Sequence, residues 1–152
     1  MTIHLLCLGT LKENYLKDAQ RDLVASLVRK NGINSCQIIE FNEEPLNEQA
    51  SQGQIQSALA MEATRIREKI PKNARLICLD INGKPAKPDF FAEVRTKMQD
   101  IGQTDLVLII GGSNGIHESL KRQAEHRISF SHLTYPHQLF RIALLEALAL
   151  YL

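Results

Sequence analysis

Five short apolar runs punctuate the chain, and the stretches between them carry helical periodicity; this alternation constrains the fold more than any other feature. The runs are Ile3 to Leu8, Ser35 to Phe41, Arg75 to Asp80, Leu106 to Ile110 and Ile128 to Thr134. Most are continuous rather than alternating, which suits strands covered on both faces. Strands separated by helices of crossover length predict an α/β fold, a parallel sheet with helices on both faces.

The first helix repeats Leu16, Ala19, Leu23 and Leu27 at helical spacing, with Gly32 as its stop. The polar, acidic stretch from Asn42 to Gln54, with Pro45 and Gly53, predicts a mobile surface loop. A second helix carries Ile55, Leu59, Ala63, Ile66 and Ile70 on one side, and a third runs from about Pro88 to Met98. The last, Leu139 to Leu152, is apolar almost all round, with Arg141 and Glu146 the main exceptions. Such a helix needs cover on most faces, and a symmetric second copy, a homodimer, is the natural cover in a chain this small. No internal repeat or low-complexity segment interrupts the pattern.

At 152 residues the chain suits one domain over 1–152. With 44% hydrophobic and 23% charged residues, and no apolar run near the ~20 residues of a membrane span, it predicts no membrane association. Its start, Met1-Thr2-Ile3-His4-Leu5, suits a first strand rather than a signal peptide, so the expected location is cytoplasmic. Cys7, Cys36 and Cys78 are odd in number and each lies in an apolar run, the pattern of buried reduced thiols; neither a metal site nor a catalytic cysteine is expected. Eighteen Lys and Arg against 17 Asp and Glu leave a net charge of +1, so any RNA site must be local.

Two clusters could carry chemistry. Leu106 to Ile110 runs directly into Gly111-Gly112-Ser113-Asn114-Gly115 and then a helix, while Gly83-Lys84-Pro85 breaks another hydrophobic strand. Open α/β sheets bind ligands at such carboxyl ends. At Gly111 and Gly112 a side chain would occupy a ligand's space. The spacing matches neither the dinucleotide fingerprint nor the Walker A pattern, which disfavours a phosphate-dependent nucleotide enzyme. A tight strand-to-helix turn explains the glycines equally well. In the second cluster, His132 to Arg141, a strand ends at Pro136 and a helix follows at once. Irregular backbone there leaves N–H and C=O groups that an adenine edge could satisfy. The alternative for His137 is a neutral imidazole bonding backbone at the helix start; for Arg141, it is an ion pair with Glu146.

Leu8-Gly9-Thr10-Leu11-Lys12-Glu13, Leu79-Asp80-Ile81-Asn82-Gly83-Lys84, Ile109 to Gly115 and Leu133 to Arg141 together resemble the ribosomal RNA large-subunit methyltransferase H family, in order and spacing across nearly the whole chain. The resemblance implies a SPOUT-type parallel sheet with a C-terminal trefoil knot, a topology that connection rules alone would not predict. It also implies S-adenosylmethionine, held mostly by backbone at Leu79, Gly111, Gly112, Ser131, His132, Leu133, Thr134, Tyr135 and Pro136. The implied substrate is N3 of a pseudouridine in helix 69 of the large-subunit ribosomal RNA, within assembled ribosomes, and the implied assembly is a homodimer. His137 and Arg141 are the expected catalytic pair: His137 to orient the base or relay its proton, Arg141 to hold a phosphate or uracil oxygen. No metal is required. Lys12, Lys84, Lys87 and Arg127 are the candidate RNA contacts. Family members usually continue into a Tyr-His-Lys or Tyr-His-Arg tail, whereas this sequence stops at Ala149-Leu150-Tyr151-Leu152. The alternative expectation is therefore a cofactor-binding, catalytically weakened ribosome-binding homologue.

Overall fold

Successive strand residues point to opposite faces of a sheet, and the computed structural model, which describes every residue except Asn31, shows this division at once. In β1 (Thr2–Leu8), Ile3, Leu5 and Cys7 enter one hydrophobic cluster, while Leu6 and Leu8 enter a second. In β4 (Asp105–Ile110), Leu106, Leu108 and Ile110 divide from Val107 and Ile109 in the same way. β2 (Ser35–Phe41), β3 (Arg75–Pro85) and β5 (His126–Ser129) complete a sheet of order β2-β1-β4-β3-β5, parallel throughout.

Helices cover both faces, as the continuous apolar runs require. α1 (Asn14–Val28), α3 (Phe90–Asp100) and α5 (His137–Tyr151) supply Leu27, Phe91, Val94, Met98, Leu144, Leu145 and Leu148 to the first cluster. α2 (Gln52–Arg67) and α4 (Glu118–Gln123) supply Ala63, Ile66 and Leu120 to the second. No helix among the described residues is long and apolar enough to cross a membrane.

Several elements differ from the sequence-based expectations. β5 ends at Ser129 instead of Thr134, because its register with β3 ends at Pro85↔Ser129. Beyond that point the Ser131 hydroxyl accepts the Leu133 N–H at 3.0 Å and turns the chain outward, leaving Leu133 69% exposed. Gly83-Lys84-Pro85 does not break β3. Leu79 and Lys84 both face Ile128, so Asp80 to Gly83 form a bulge and the strand resumes. A Cβ on Gly83 would lie 2.7 Å from the Arg127 and Ile128 backbone, which makes glycine necessary there.

The Asn42 to Gln54 stretch is not a free loop. Glu62 accepts the Glu44 N–H at 2.8 Å, and Arg65 both donates to the Asn42 carbonyl at 2.9 Å and pairs with Glu44 at 3.0 Å. α2 begins inside that stretch, where Ser51 and Gln54 form a reciprocal capping box. α1 ends at Val28, short of Gly32, whose φ of +82° lies in the left-handed region. Burial pushes the Cys7 and Cys78 thiols up to about 12; half-buried Cys36 rises to about 11, also through burial.

The final helix is less bare than its composition predicts. Leu144, Leu145 and Leu148 face the core, while Leu139 (46% exposed) and Leu150 (61%) face outward. Leu145 therefore belongs to the chain's own core. Leu145→Ala is expected to lower the unfolding free energy by about 2–5 kcal/mol through lost burial and the cavity left behind. Chemical denaturation with an unchanged m-value checks this.

Candidate active site

The bulge of β3 and the carboxyl ends of β4 and β5 lie side by side, and at each of them the chain leaves the pairing of the sheet. Together they line a cleft of about 260 Å³. β3 contributes Leu79, Asp80 and Ile81; the loop after β4 contributes Gly111, Gly112, Ser113 and Gly115; the segment after β5 contributes Ser131, Leu133, Thr134 and Tyr135. His137 and Phe140 from the first turn of α5 close one side. Phe130 meets Phe140 edge-to-face at 5.4 Å, giving that wall a rigid aromatic surface.

The two expected glycines are explained by this chain's own atoms. A Cβ on Gly111 would lie 2.7 Å from the Gly115 carbonyl, because the loop closes through a Gly115 N–H to Gly112 C=O bond of 3.1 Å. A Cβ on Gly112 would overlap the Glu43 carboxylate rather than a ligand's space. Glu43 reaches over the loop to accept the Ser113 N–H at 2.6 Å and the Ser113 hydroxyl at 3.1 Å. The composition of the 42–54 stretch suggested a solvated loop and gave no hint of this cap.

Backbone in the other wall is open. Among the described residues, no backbone–backbone hydrogen bond involves Ser131 to Tyr135, and α5 starts at Pro136 without a side-chain cap. Its first N–H groups therefore lack intrahelical partners.

Eight of the eleven sequence-derived site residues meet at this cleft: Leu79, Gly111, Gly112, Ser131, Leu133, Thr134, Tyr135 and His137. His132 is exposed but outside the lining, and Pro136 serves as the helix N-cap. Arg141 is placed differently from both expectations. It is 2% exposed, its guanidinium pairs with Glu40 instead of Glu146, and it donates to the Gly9 carbonyl at 2.9 Å and Gln20 at 3.2 Å. It ties α5 to β2 and the loop after β1. Beside it, Gln138 accepts the Lys12 N–H at 2.9 Å.

The buried carboxylate of Asp80 escaped sequence reasoning, although it sits in the Leu79-Asp80-Ile81-Asn82-Gly83-Lys84 motif. Its Oδ2 accepts from Arg127 Nη2 at 2.6 Å and Nε at 3.1 Å and lies 3.4 Å from Lys121 Nζ; Oδ1 accepts the Asn82 N–H at 3.2 Å. Burial pushes this carboxyl up, but the Arg127 and Asn82 hydrogen bonds and the Lys121 charge outweigh it and hold it below the usual carboxylate value. A larger hollow of about 550 Å³ flanks β5 and α3, lined by Lys84, Lys87, Lys97 and Arg127. Asp89, Glu93 and Glu125 line it too, so its cations are largely balanced. Three of the four expected RNA contacts border this groove, and Lys12 does not.

The family model described as "Predicted SPOUT methyltransferase" matches residues 1–151. The chain is 40% identical over 149 residues to the ribosomal RNA large subunit methyltransferase H of Leuconostoc citreum, a match covering 96% of this chain and 90% of that protein. It is 38% identical over 146 residues to the protein of that name from Streptococcus uberis, with the same coverage of 96% and 90%. Among solved structures it resembles the SpoU methyltransferase AviRb from Streptomyces viridochromogenes in complex with AdoMet, at 13% identity and a TM-score of 0.46. That match covers 96% of this chain and 56% of the other.

Two outcomes follow from the geometry. Gly111→Ala presses on backbone that cannot swing aside and should cost about 1–3 kcal/mol, whereas Gly112→Ala need only displace the Glu43 side chain and should cost less; paired denaturation curves check the order. Arg127→Gln removes the tightest partner of Asp80. Because the folded Asp80 carboxyl titrates below its unfolded value, its stabilisation is present above pH ~4 and lost as pH falls through the folded value. The variant should therefore be less stable than wild type at pH 7, with the gap narrowing on acidification below pH ~4, as thermal unfolding across pH will show.

Proposed function

Because the chain belongs to the ribosomal RNA large subunit methyltransferase H family of SPOUT methyltransferases, we propose that it transfers a methyl group from S-adenosylmethionine to ribosomal RNA. The observation that carries this reading is the cleft at the β3 bulge and the carboxyl ends of β4 and β5, where eight expected residues converge around backbone outside the sheet's pairing. We further propose the family's finer properties for this chain: N3 of a pseudouridine in helix 69 within assembled ribosomes as target, a C-terminal trefoil knot around the cofactor, a homodimer, and a cytoplasmic location.

The donor set suits the cofactor. Leu79, Ile110, Phe130 and Phe140 offer apolar walls for a purine ring, and the backbone of Ser131 to Tyr135, whose bonds within the chain go only to the Ser129 and Ser131 hydroxyls, suits its polar edge. When bound, S-adenosylmethionine supplies an electrophilic methyl group on a sulfonium. The chain's own task is alignment of the acceptor nitrogen and removal of its proton. His137, exposed at the cleft edge, is the group placed to orient the base or accept that proton. Arg141 acts as a positioning residue: its bonds to Glu40 and Gly9 fix the first turns of α5, and with them His137. Lys84 and Lys87 in the neighbouring groove supply phosphate contacts. Leu139 and Leu150, on the outward side of α5, belong to the homodimer contact.

Incubation of ribosomes with labelled S-adenosylmethionine tests the reaction, and mapping the labelled nucleotide tests the position. Label is expected in large-subunit RNA, more from assembled ribosomes than from naked RNA. His137→Ala should lower kcat by roughly 10²–10⁴-fold while leaving S-adenosylhomocysteine affinity nearly unchanged. Absence of label with the wild-type chain overturns the reaction, and label at another nucleotide overturns the target. Light scattering checks assembly: wild type should be a dimer, and Leu150→Arg should weaken it without unfolding the chain.

A further inference from the structure

Among the described residues that line the cleft, Asp80 is the one carboxylate and Lys121 the one Lys or Arg, and both are nearly covered: the side chain of Asp80 is 5% exposed and that of Lys121 13%. Charge in such a place is costly unless it is paired or has a ligand to meet. Asp80 is fully engaged. Arg127 grips Oδ2 through two nitrogens, and the Asn82 N–H takes Oδ1. Lys121 is held far more loosely. Its ammonium lies 3.4 Å from Asp80 Oδ2, an oxygen it shares with Arg127, and 3.4 Å from the more exposed Glu118. Both distances exceed the roughly 2.7–2.9 Å of a charge-assisted hydrogen bond. An ammonium has three N–H donors, and two long contacts leave at least one of them for a ligand.

The cleft therefore presents a cation with a donor to spare, beside a carboxylate that is already satisfied. Together they leave the wall near electrical balance, which disfavours a phosphate group and suits a ligand end that carries one negative and one positive charge. On the reading that the cleft takes S-adenosylmethionine, its amino-acid end has this character. We propose that Lys121 binds the α-carboxylate of that end, and that Asp80 is the positioning residue that keeps the Lys121 ammonium at the cleft wall. The glycine loop and the Ser131 to Tyr135 backbone then take the nucleoside, while α4 reads the amino acid.

Calorimetric titration of the full chain with two ligands separates the proposal from the reading beneath it. S-adenosylhomocysteine keeps the amino-acid end, and 5′-methylthioadenosine lacks it. Wild type should bind the first more tightly. Lys121→Met should weaken S-adenosylhomocysteine binding roughly ten- to a hundredfold and leave methylthioadenosine within about twofold, whereas Lys121→Arg should retain most of the affinity. Masking the ligand's carboxylate as a methyl ester should produce the same loss with the unaltered protein, so the outcome does not depend on how a variant folds. Equal losses for both ligands in Lys121→Met, or full affinity for the ester, overturns the role of Lys121 while leaving cofactor binding intact. Failure of wild type to bind either nucleoside overturns both.

Discussion

A sheet whose strands all run parallel has no face to spare for water, and the rest of this molecule follows from that constraint. The central strands β1 and β4 bury both of their side-chain rows, so the chain needs helices above and below. α1, α3 and α5 close one face; α2 and α4 close the other. With both faces sealed, backbone within the sheet is left unpaired at its edges, at the β3 bulge and at the strand ends. The β3 bulge and the carboxyl ends of β4 and β5 gather three such stretches into one cleft.

Two ionic pairs, each with one buried partner and one partly exposed one, hold these open ends in place. Arg141 joins α5 to Glu40 at the end of β2 and to Gly9 in the loop after β1. Asp80 joins the β3 bulge to Arg127 on β5 and, more weakly, to Lys121 on α4. Each lies where a strand gives way to irregular chain, and there a specific polar contact fixes geometry that packing alone leaves loose. Removing one partner of such a pair strands the other, which makes these sites sensitive despite the modest net value of buried ion pairs.

Close backbone approach is the third determinant. Gly83 lets the bulged strand return against β5, and Gly111 lets the loop close on Gly115. Gly112 makes room for Glu43, which caps the loop from a distant segment. The glycines therefore serve the architecture of the wall first. A ligand would meet the surface they permit, not the space a Cβ would fill.

Local pattern determined the strands, the crossover helices and the cover on both faces, because burial on two sides leaves continuous apolar runs that need no knowledge of neighbours. It also marked the glycine loop and the His132 to Arg141 segment as site material, since broken periodicity exposes backbone wherever it occurs, whereas Leu79 and Ser131 entered only through the family resemblance. The capping box at Ser51 and Gln54 was equally legible, yet the acidic composition around it pointed to a loop instead. Tertiary structure alone decided the end of β5, which depends on where β3 stops offering partners, and the resumption of β3 after its bulge. It also decided the partner of Arg141, where Glu146 is near in sequence but Glu40, a hundred and one positions away, is the residue in contact. The physical reason is the same in each case: burial is written into a segment's own pattern, whereas pairing depends on what the rest of the chain brings within a few ångströms.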